Sequence, residues 1–368
     1  MLFQPYQIKG LTLRNRLVMA PMTTYSSNPD FTVSASEYEY YALRSQTIGL
    51  LITAATSVSD SAQAFPNQIS LKDDRFIPGM SQLVDVVHQG GAKIIVQLHH
   101  GGRMNEPQLF DDHRQIVSAS AVKAEREYAV IPRALETKEV YATIDDFAKA
   151  TKRAIEAGFD GVELHGANTY LLQQFFSPHS NRRTDEFGGS LEKRMRFSIE
   201  LIKAVDSVIK THAKQPFICG YRLSPEELET PGITIEDTLA FVDVLKTLPI
   251  DYLHVSLSRY NQSLIRDETD NEAIATKIQR HLKHQIPLIG VGGIDSTENA
   301  EDALAMGYDL VAVGMRIIAE PLLGYKMAHN LPINSVIHRN LSIPEPLFNR
   351  LLKYRRYFKD NTYTIDDK

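Results

Sequence analysis

The chain is poor in the features that mark several protein classes. It has one cysteine, Cys219. One thiol cannot form an internal disulfide, a four-cysteine zinc site or an iron–sulfur cluster. No apolar run approaches the ~20 residues of a membrane span. The first ten residues lack a basic stretch followed by an apolar one, so they do not read as a signal peptide. Lys and Arg total 40 against 45 Asp and Glu, a net charge of −5, and no block of like charge stands out. Nucleic acids and anionic membranes both call for a basic surface, so neither is an expected partner. The expectation is a soluble, cytoplasmic protein whose redox chemistry, if any, belongs to a bound organic cofactor.

What is present is apolar and periodic. Hydrophobic residues make up 43% of 368 positions, enough for a large core. Short apolar, β-branched runs recur at 17–20, 49–53, 93–97, 160–164, 216–222, 251–256, 286–291 and 308–313. Runs of this kind suit parallel strands buried on both faces. Helical patterns lie between most of them. Ser34 with Glu37, Thr143 with Asp146, and Thr234 with Asp237 have the spacing of capping boxes or their short-carboxylate variants. Phe147, Thr151, Ala154, Ile155 and Gly158 share one helical face. Gly90, Gly91, Gly158 and Gly307 fall where a helix ends and a strand begins.

Eight strands alternating with helices predict an α/β fold, a (β/α)8 barrel. The alternative is a doubly wound sheet with a second domain, but no linker divides the chain and no Gly-x-Gly-x-x-Gly follows the first strand. We therefore expect one domain over 1–358 and a frayed polar tail over 359–368. Residues 101–142 are expected to form an excursion over the barrel mouth after strand three. Residues 166–190 read as a loop carrying a short helix. Both follow strand C-termini, where barrels carry their sites.

Several residues there could carry chemistry. His165 and Asn168 are three apart, so a helical turn would set two N–H donors side by side for an electron-rich oxygen. Tyr170 adds a phenolic proton. The plain alternative is a satisfied histidine, a turn asparagine and a rim tyrosine. A zinc site is a poor rival, and no metal is expected. Gln97, Arg222 and Thr23 are polar residues in or at the ends of core strands. Together they suggest a planar polar ligand; separately each could pair locally. The 177–190 loop reads as scaffold held by Arg–carboxylate pairs. Gly292 and Gly293 end strand seven, and Gly314 ends strand eight, the pair of loops where barrels often bind phosphate.

Three segments carry a resemblance to a known family: Asn15-Arg-Leu-Val-Met-Ala-Pro-Met-Thr23, His165-Gly-Ala-Asn-Thr-Tyr-Leu171, and Ser177-Pro-His-Ser-Asn-x-Arg-Thr-Asp-Glu-Phe-Gly-Gly-Ser190. Over roughly residues 1–345 the chain resembles the Old Yellow Enzyme family of flavin oxidoreductases, in its threonine-containing branch. The resemblance implies a (β/α)8 barrel that binds FMN, with NADH or NADPH as reductant. It implies backbone contacts to the flavin from Ala20, Pro21 and Met22, and a hydrogen bond from Thr23. Gln97 would meet the pyrimidine edge, and Arg222 would sit beside N1 and O2. Gly292, Gly293, Gly314, Met315 and Arg316 would hold the phosphate. His165 and Asn168 would grip a substrate oxygen, Tyr170 would donate a proton, and Tyr25 would line the substrate side. The family carries Arg directly after the strand-eight glycine; here Met315 intervenes and Arg316 follows one residue late.

The implied activity is reduction of activated C=C bonds, in α,β-unsaturated carbonyls or nitroalkenes. A nitro compound or nitrate ester as substrate, or a flavin-binding protein with little turnover, are the alternatives. The larger relatives with an iron–sulfur cluster do not match a chain with one cysteine.

Overall fold

The computed structural model describes residues 1–110, 115–354 and 363–366. Eight parallel strands close into a barrel: β1 (Leu17–Met19), β2 (Leu50–Ser57), β3 (Lys93–His99), β4 (Gly161–Gly166), β5 (Ile218–Leu223), β6 (Tyr252–Val255), β7 (Leu288–Val291) and β8 (Leu310–Val313). β8 closes the ring on β1, with Val311 beside Leu17 and Val313 beside Met19. The eight apolar runs are these eight strands. Both faces of each strand are covered, so a half-polar alternation is suppressed and the sequence reads as continuous apolar runs.

The outer layer comprises α1 (Ala35–Arg44), α2 (Ile77–Gln89), α3 (Thr137–Ala157), α4 (Leu171–Phe176), α5 (Leu191–His212), α6 (Ile235–Leu245), α7 (Ile274–Leu282), α8 (Thr297–Met306), α9 (Met315–Ala319), α10 (Leu323–Ala328) and α11 (Glu345–Tyr354). Ser34 and Glu37 form the capping box of α1, and Thr234 and Asp237 that of α6. Gly158 and Gly307 end α3 and α8 at φ +90° and +118°.

Thr143 does not start a helix. α3 begins six residues earlier, where the Glu136 N–H donates to the Glu139 carboxylate at 2.7 Å. Thr143 lies inside the helix and donates its hydroxyl to the Glu139 carbonyl at 2.9 Å, as a mid-helix threonine can. Thr143 and Asp146 have capping spacing, but Glu136 and Glu139 have it too and come first.

A two-stranded hairpin, Tyr6–Ile8 with Leu11–Leu13, closes the end of the barrel where the strands begin. Its Ile8, Leu11 and Leu13 pack with Leu50, Ile95, Ile218 and Leu310 in the inner core. Lys9 reaches Asp251, just ahead of β6, at 3.2 Å. At the other end, the segment after β3 carries a short parallel pair, Val117–Ser118 with Arg133–Ala134, before α3. It docks on α4, because Gln174 Oε1 accepts from Ser118 Oγ at 2.8 Å and from Arg103 N at 3.1 Å.

The tail departs from the expectation of fraying at three of its residues. Thr364–Asp366 pairs in parallel with Val336–His338. Residues 359–362, 367 and 368 lie outside the described residues. No helix among the described residues is long and apolar enough to cross a membrane.

Candidate active site

Side chains two apart on a strand share a face, and this places the polar residues of β4 and its neighbours inside the barrel. Glu163 and His165 point inward from β4. In register beside them stand Gln97 of β3, opposite Glu163, and Arg222 of β5, opposite His165. His254 of β6 is in turn opposite Arg222. Gln97, Glu163, His165, Arg222 and His254 are all buried.

His165 is the next-to-last residue of β4, with Asn168 in the turn that follows. The juxtaposition is not helical, because α4 starts only at Leu171. Asn168 and Thr169 take left-handed φ values of +56° and +64°, which brings Asn168 back toward the strand end. Two contacts orient the pair. Ala167 N donates to His165 Nδ1 at 3.3 Å. Burial, aided by His99, Arg222 and His254, holds the His165 ring well below the usual imidazole range. The ring is therefore neutral, and with Nδ1 accepting, its proton resides on Nε2. Asn168 Oδ1 accepts from Ser256 Oγ at 2.8 Å, so its Nδ2 hydrogens remain to serve another acceptor. Ser256 Oγ itself accepts from Arg222 Nη2 at 3.2 Å.

Tyr170 stands against this pair. Its ring packs edge-on to His165 at 4.9 Å, His99 at 4.3 Å and Phe65 at 6.0 Å. Burial first, and Tyr25 second, push the phenol above its ordinary range, so Tyr170 carries its proton throughout the neutral range. Tyr25, at φ +57°, meets Phe65 edge-on at 5.6 Å, and the Arg350 guanidinium of α11 lies over its ring at 4.0 Å.

The segment after β1 runs beside the end of β8. Ala20 N donates to Val313 O at 3.0 Å, and Met22 Sδ is 3.7 Å from where a side chain on Gly314 would begin. Ala20 is buried, while Pro21, Met22 and Thr23 are half-buried. Gly292, Gly293, Gly314, Met315 and Arg316 line one cavity of about 550 Å³ with Arg259. Gly292, at φ +111°, leaves no room for a side chain: a Cβ would fall 2.6 Å from the Ser258 carbonyl carbon.

Arg316 is in this cavity despite its one-residue delay. Its Nη2 pairs with Asp295 at 3.1 Å, its Nη1 donates to Asn334 O at 3.2 Å, and its guanidinium covers the Tyr363 ring at 4.7 Å. Its Nε is buried without a hydrogen-bond partner. A larger cavity, about 660 Å³, opens at the opposite end of the barrel beside Asp160 and Phe217. It lies away from the strand C-termini and shares no lining residue with the glycine-lined cavity.

The 177–190 loop is scaffold, as its Arg–carboxylate content suggests. Arg183 pairs with Asp185 at 2.6 Å, and Asn181 Nδ2 donates to the carbonyls of Phe175 and Phe187. Among the described residues, no group of three or more His, Cys, Asp or Glu side chains is placed to hold a metal ion. Cys219 is buried in β5, and burial pushes its thiol upward.

Glu163, Ser256 and His254 escaped the sequence reading. Glu163 Oε1 accepts from Gln97 Nε2 at 2.7 Å, and its Oε2 meets His254 Nδ1 at 2.9 Å and Tyr252 OH at 3.1 Å. The signal was there: a carboxylate in the middle of an apolar run, two residues before His165.

A model of the NADH:flavin oxidoreductase / NADH oxidase family matches residues 1–334. The chain belongs to this family. A probable NADH-dependent flavin oxidoreductase of Bacillus subtilis (strain 168) is 40% identical over 358 residues, covering 95% of each chain. An NADH:fumarate oxidoreductase of Klebsiella pneumoniae (strain 342) is 42% identical over 355 residues, but this chain spans only 38% of its length. Morphinone reductase in complex with tetrahydroNAD superposes with a TM-score of 0.78 at 32% identity, covering 90% of this chain and 92% of that one. An old yellow enzyme homologue from Zymomonas mobilis gives 0.78 at 28% identity, covering 93% and 96%. The Old Yellow Enzyme resemblance read from three motifs therefore holds for the family and for the barrel.

The residues present fit a flavin. Arg222 Nε is buried with no partner and stands among polar groups at the mouth. The glycine-lined cavity beside Arg316 supplies backbone N–H groups for an anion at the other end.

Proposed function

We propose that this protein uses FMN and NADH or NADPH to reduce activated C=C bonds in small electrophiles, α,β-unsaturated carbonyls or nitroalkenes. The observation that carries this reading is the pair of oriented donors. His165 Nε2 and Asn168 Nδ2 are each left to donate because Nδ1 and Oδ1 are already engaged by Ala167 and Ser256. Such a pair suits an oxygen on which negative charge develops. A preorganised donor of this kind contributes about 2.7–4 kcal/mol in acyl transfer.

Bound FMN would supply the hydride-carrying chemistry between nicotinamide and substrate. Gln97 and Arg222 hold the cofactor's polar edge, and Ala20, Pro21, Met22 and Thr23 lie along it. The fixed charge of Arg222 favours an anionic reduced flavin. Gly292, Gly293, Gly314, Met315 and Arg316 hold its phosphate. His165 and Asn168 bind the substrate's carbonyl or nitro oxygen and draw electron density from the alkene. Tyr170 keeps its proton for the α-carbon, and Tyr25 lines the substrate side. Two relatives fit the substrate class. They are named NADH:fumarate and NADH:acrylate oxidoreductases, and both names denote alkenes conjugated to a carboxyl group. The chain spans 38% and 31% of those proteins.

The test is a visible absorption spectrum titrated with NADH, with NADPH, and then anaerobically with enones and nitroalkenes. Flavin absorbance should bleach with the nicotinamide and return with the alkene. A reduced flavin that no activated alkene reoxidises would overturn the reading.

A further inference from the structure

The mechanism above leaves one buried acid unused. Glu163 is wholly buried in the barrel, as are its contacts Tyr252 and His254. A buried carboxylate is costly unless neighbours compensate it. Three do so by hydrogen bonding: Gln97 Nε2 at 2.7 Å, Tyr252 OH at 3.1 Å and His254 Nδ1 at 2.9 Å. Burial pulls its pKa upward, yet His254, Arg222 and Gln97 together hold it below the usual carboxylate range. His254 is held below the usual imidazole range by burial and remains neutral, donating through Nδ1. The cluster therefore carries one negative charge, and Arg222 is a cation whose charge reaches it.

Two consequences follow from this arrangement. A Gln97 amide whose Nε2 is committed to Glu163 cannot flip freely, because the flip would set Oε1 against a carboxylate oxygen. Gln97 thus presents Oε1, an acceptor, to whatever enters. A ligand edge placed there must offer an N–H beside an acceptor that Arg222 can meet. The imide of an isoalloxazine ring has this pattern.

We propose that Glu163 is a positioning residue of the cofactor site, which fixes the Gln97 amide and offsets the charge of Arg222, so that it lowers the reduction potential of bound flavin. The proposal rests on the FMN reading above. Arg222 alone would stabilise the anionic reduced flavin without restraint; the carboxylate beneath it sets how far that goes. Tyr252 moderates the carboxylate in turn by donating to it.

The experiment measures FMN binding and the midpoint potential in wild type, Glu163→Gln, Glu163→Asp and Tyr252→Phe. Glu163→Gln removes the charge and should raise the potential. Glu163→Asp keeps the charge and should return the potential toward wild type. Tyr252→Phe takes a donor from the carboxylate and should shift the potential the opposite way, downward. A wild-type protein that binds no flavin overturns the functional reading itself. A wild type that binds FMN, with a Glu163→Gln variant at the same potential, overturns this proposal alone. Should Glu163→Gln not fold, Tyr252→Phe at an unchanged potential overturns it equally.

Discussion

Ser256 on the strand-six side donates its hydroxyl to Asn168 on the strand-four side across 2.8 Å, while accepting from Arg222 at 3.2 Å. The serine thus couples the residue that would hold substrate to the residue that would hold cofactor. Ser256→Ala should leave Asn168 free to turn its amide. Phenols, bound as phenolates between His165 and Asn168, should then bind about three- to tenfold more weakly, the usual loss for one hydrogen bond. The check is a phenol titration followed in the flavin spectrum. An unchanged dissociation constant would show that Asn168 needs no orientation from Ser256.

Tyr170 packs on His165 and keeps its proton. Tyr170→Phe removes that proton and little of the packing. Alkene reduction should slow by ~10²–10⁴-fold, the range for positioned acid catalysis. Flavin reduction by NADH should change by no more than about twofold. Stopped-flow measurement of the two half-reactions separates them, and an equal loss in both would remove Tyr170 from the proton-donor role.

Asp295 holds Arg316 at 3.1 Å in the glycine-lined cavity. A carboxylate there competes with a phosphate for the same guanidinium. Asp295→Asn should tighten FMN binding several-fold and leave riboflavin binding unchanged. Arg316→Ala should weaken FMN about tenfold or more, again sparing riboflavin. Parallel fluorescence titrations with the two flavins read this directly. An Arg316→Ala variant that still prefers FMN as wild type does would place the phosphate elsewhere.

Four buried histidines make stability depend on pH. Burial lowers His99 and His100 to about 3, from 6.5, and lowers His165 and His254 as well. Below 6.5 the unfolded chain takes up protons that the folded chain refuses. Their contribution is therefore complete above 6.5 and drains as pH falls toward 3. Glu37, raised by burial to about 7, and Asp146, raised to about 6, act in the opposite sense and lose their contribution as pH rises through those values. Glu226 and Asp251 are raised by burial too; taken alone, the four histidines make the protein less stable to urea at pH 5 than at pH 7. His100→Gln should flatten that slope by up to about 1.4 kcal/mol per pH unit, the effect of one proton. A variant with the wild-type slope would show that His100 takes up a proton in the folded state.

The barrel was legible because its strands are buried on both faces and so stand out as apolar runs. The polar set was only partly legible. His165 and Asn168 showed by their proximity, but the turn that joins them is left-handed at Asn168, which spacing does not reveal. Glu163 hid inside the run that identified its strand. Ser256 is an ordinary residue whose importance lies in two partners 34 and 88 positions away. Thr143 misled because capping chemistry is local and repeats within one helix.

The hairpin of Ile8, Leu11 and Leu13 has a kinetic consequence. It stoppers the barrel with packed hydrocarbon where the strands begin, so molecules bound for His165 must arrive from the strand C-termini. On the proposed reaction, a nicotinamide and an alkene would be visitors to one doorway. The second cannot be served until the first has left, and steady-state rates should follow a ping-pong pattern, each reactant inhibiting at high concentration by occupying the other's turn.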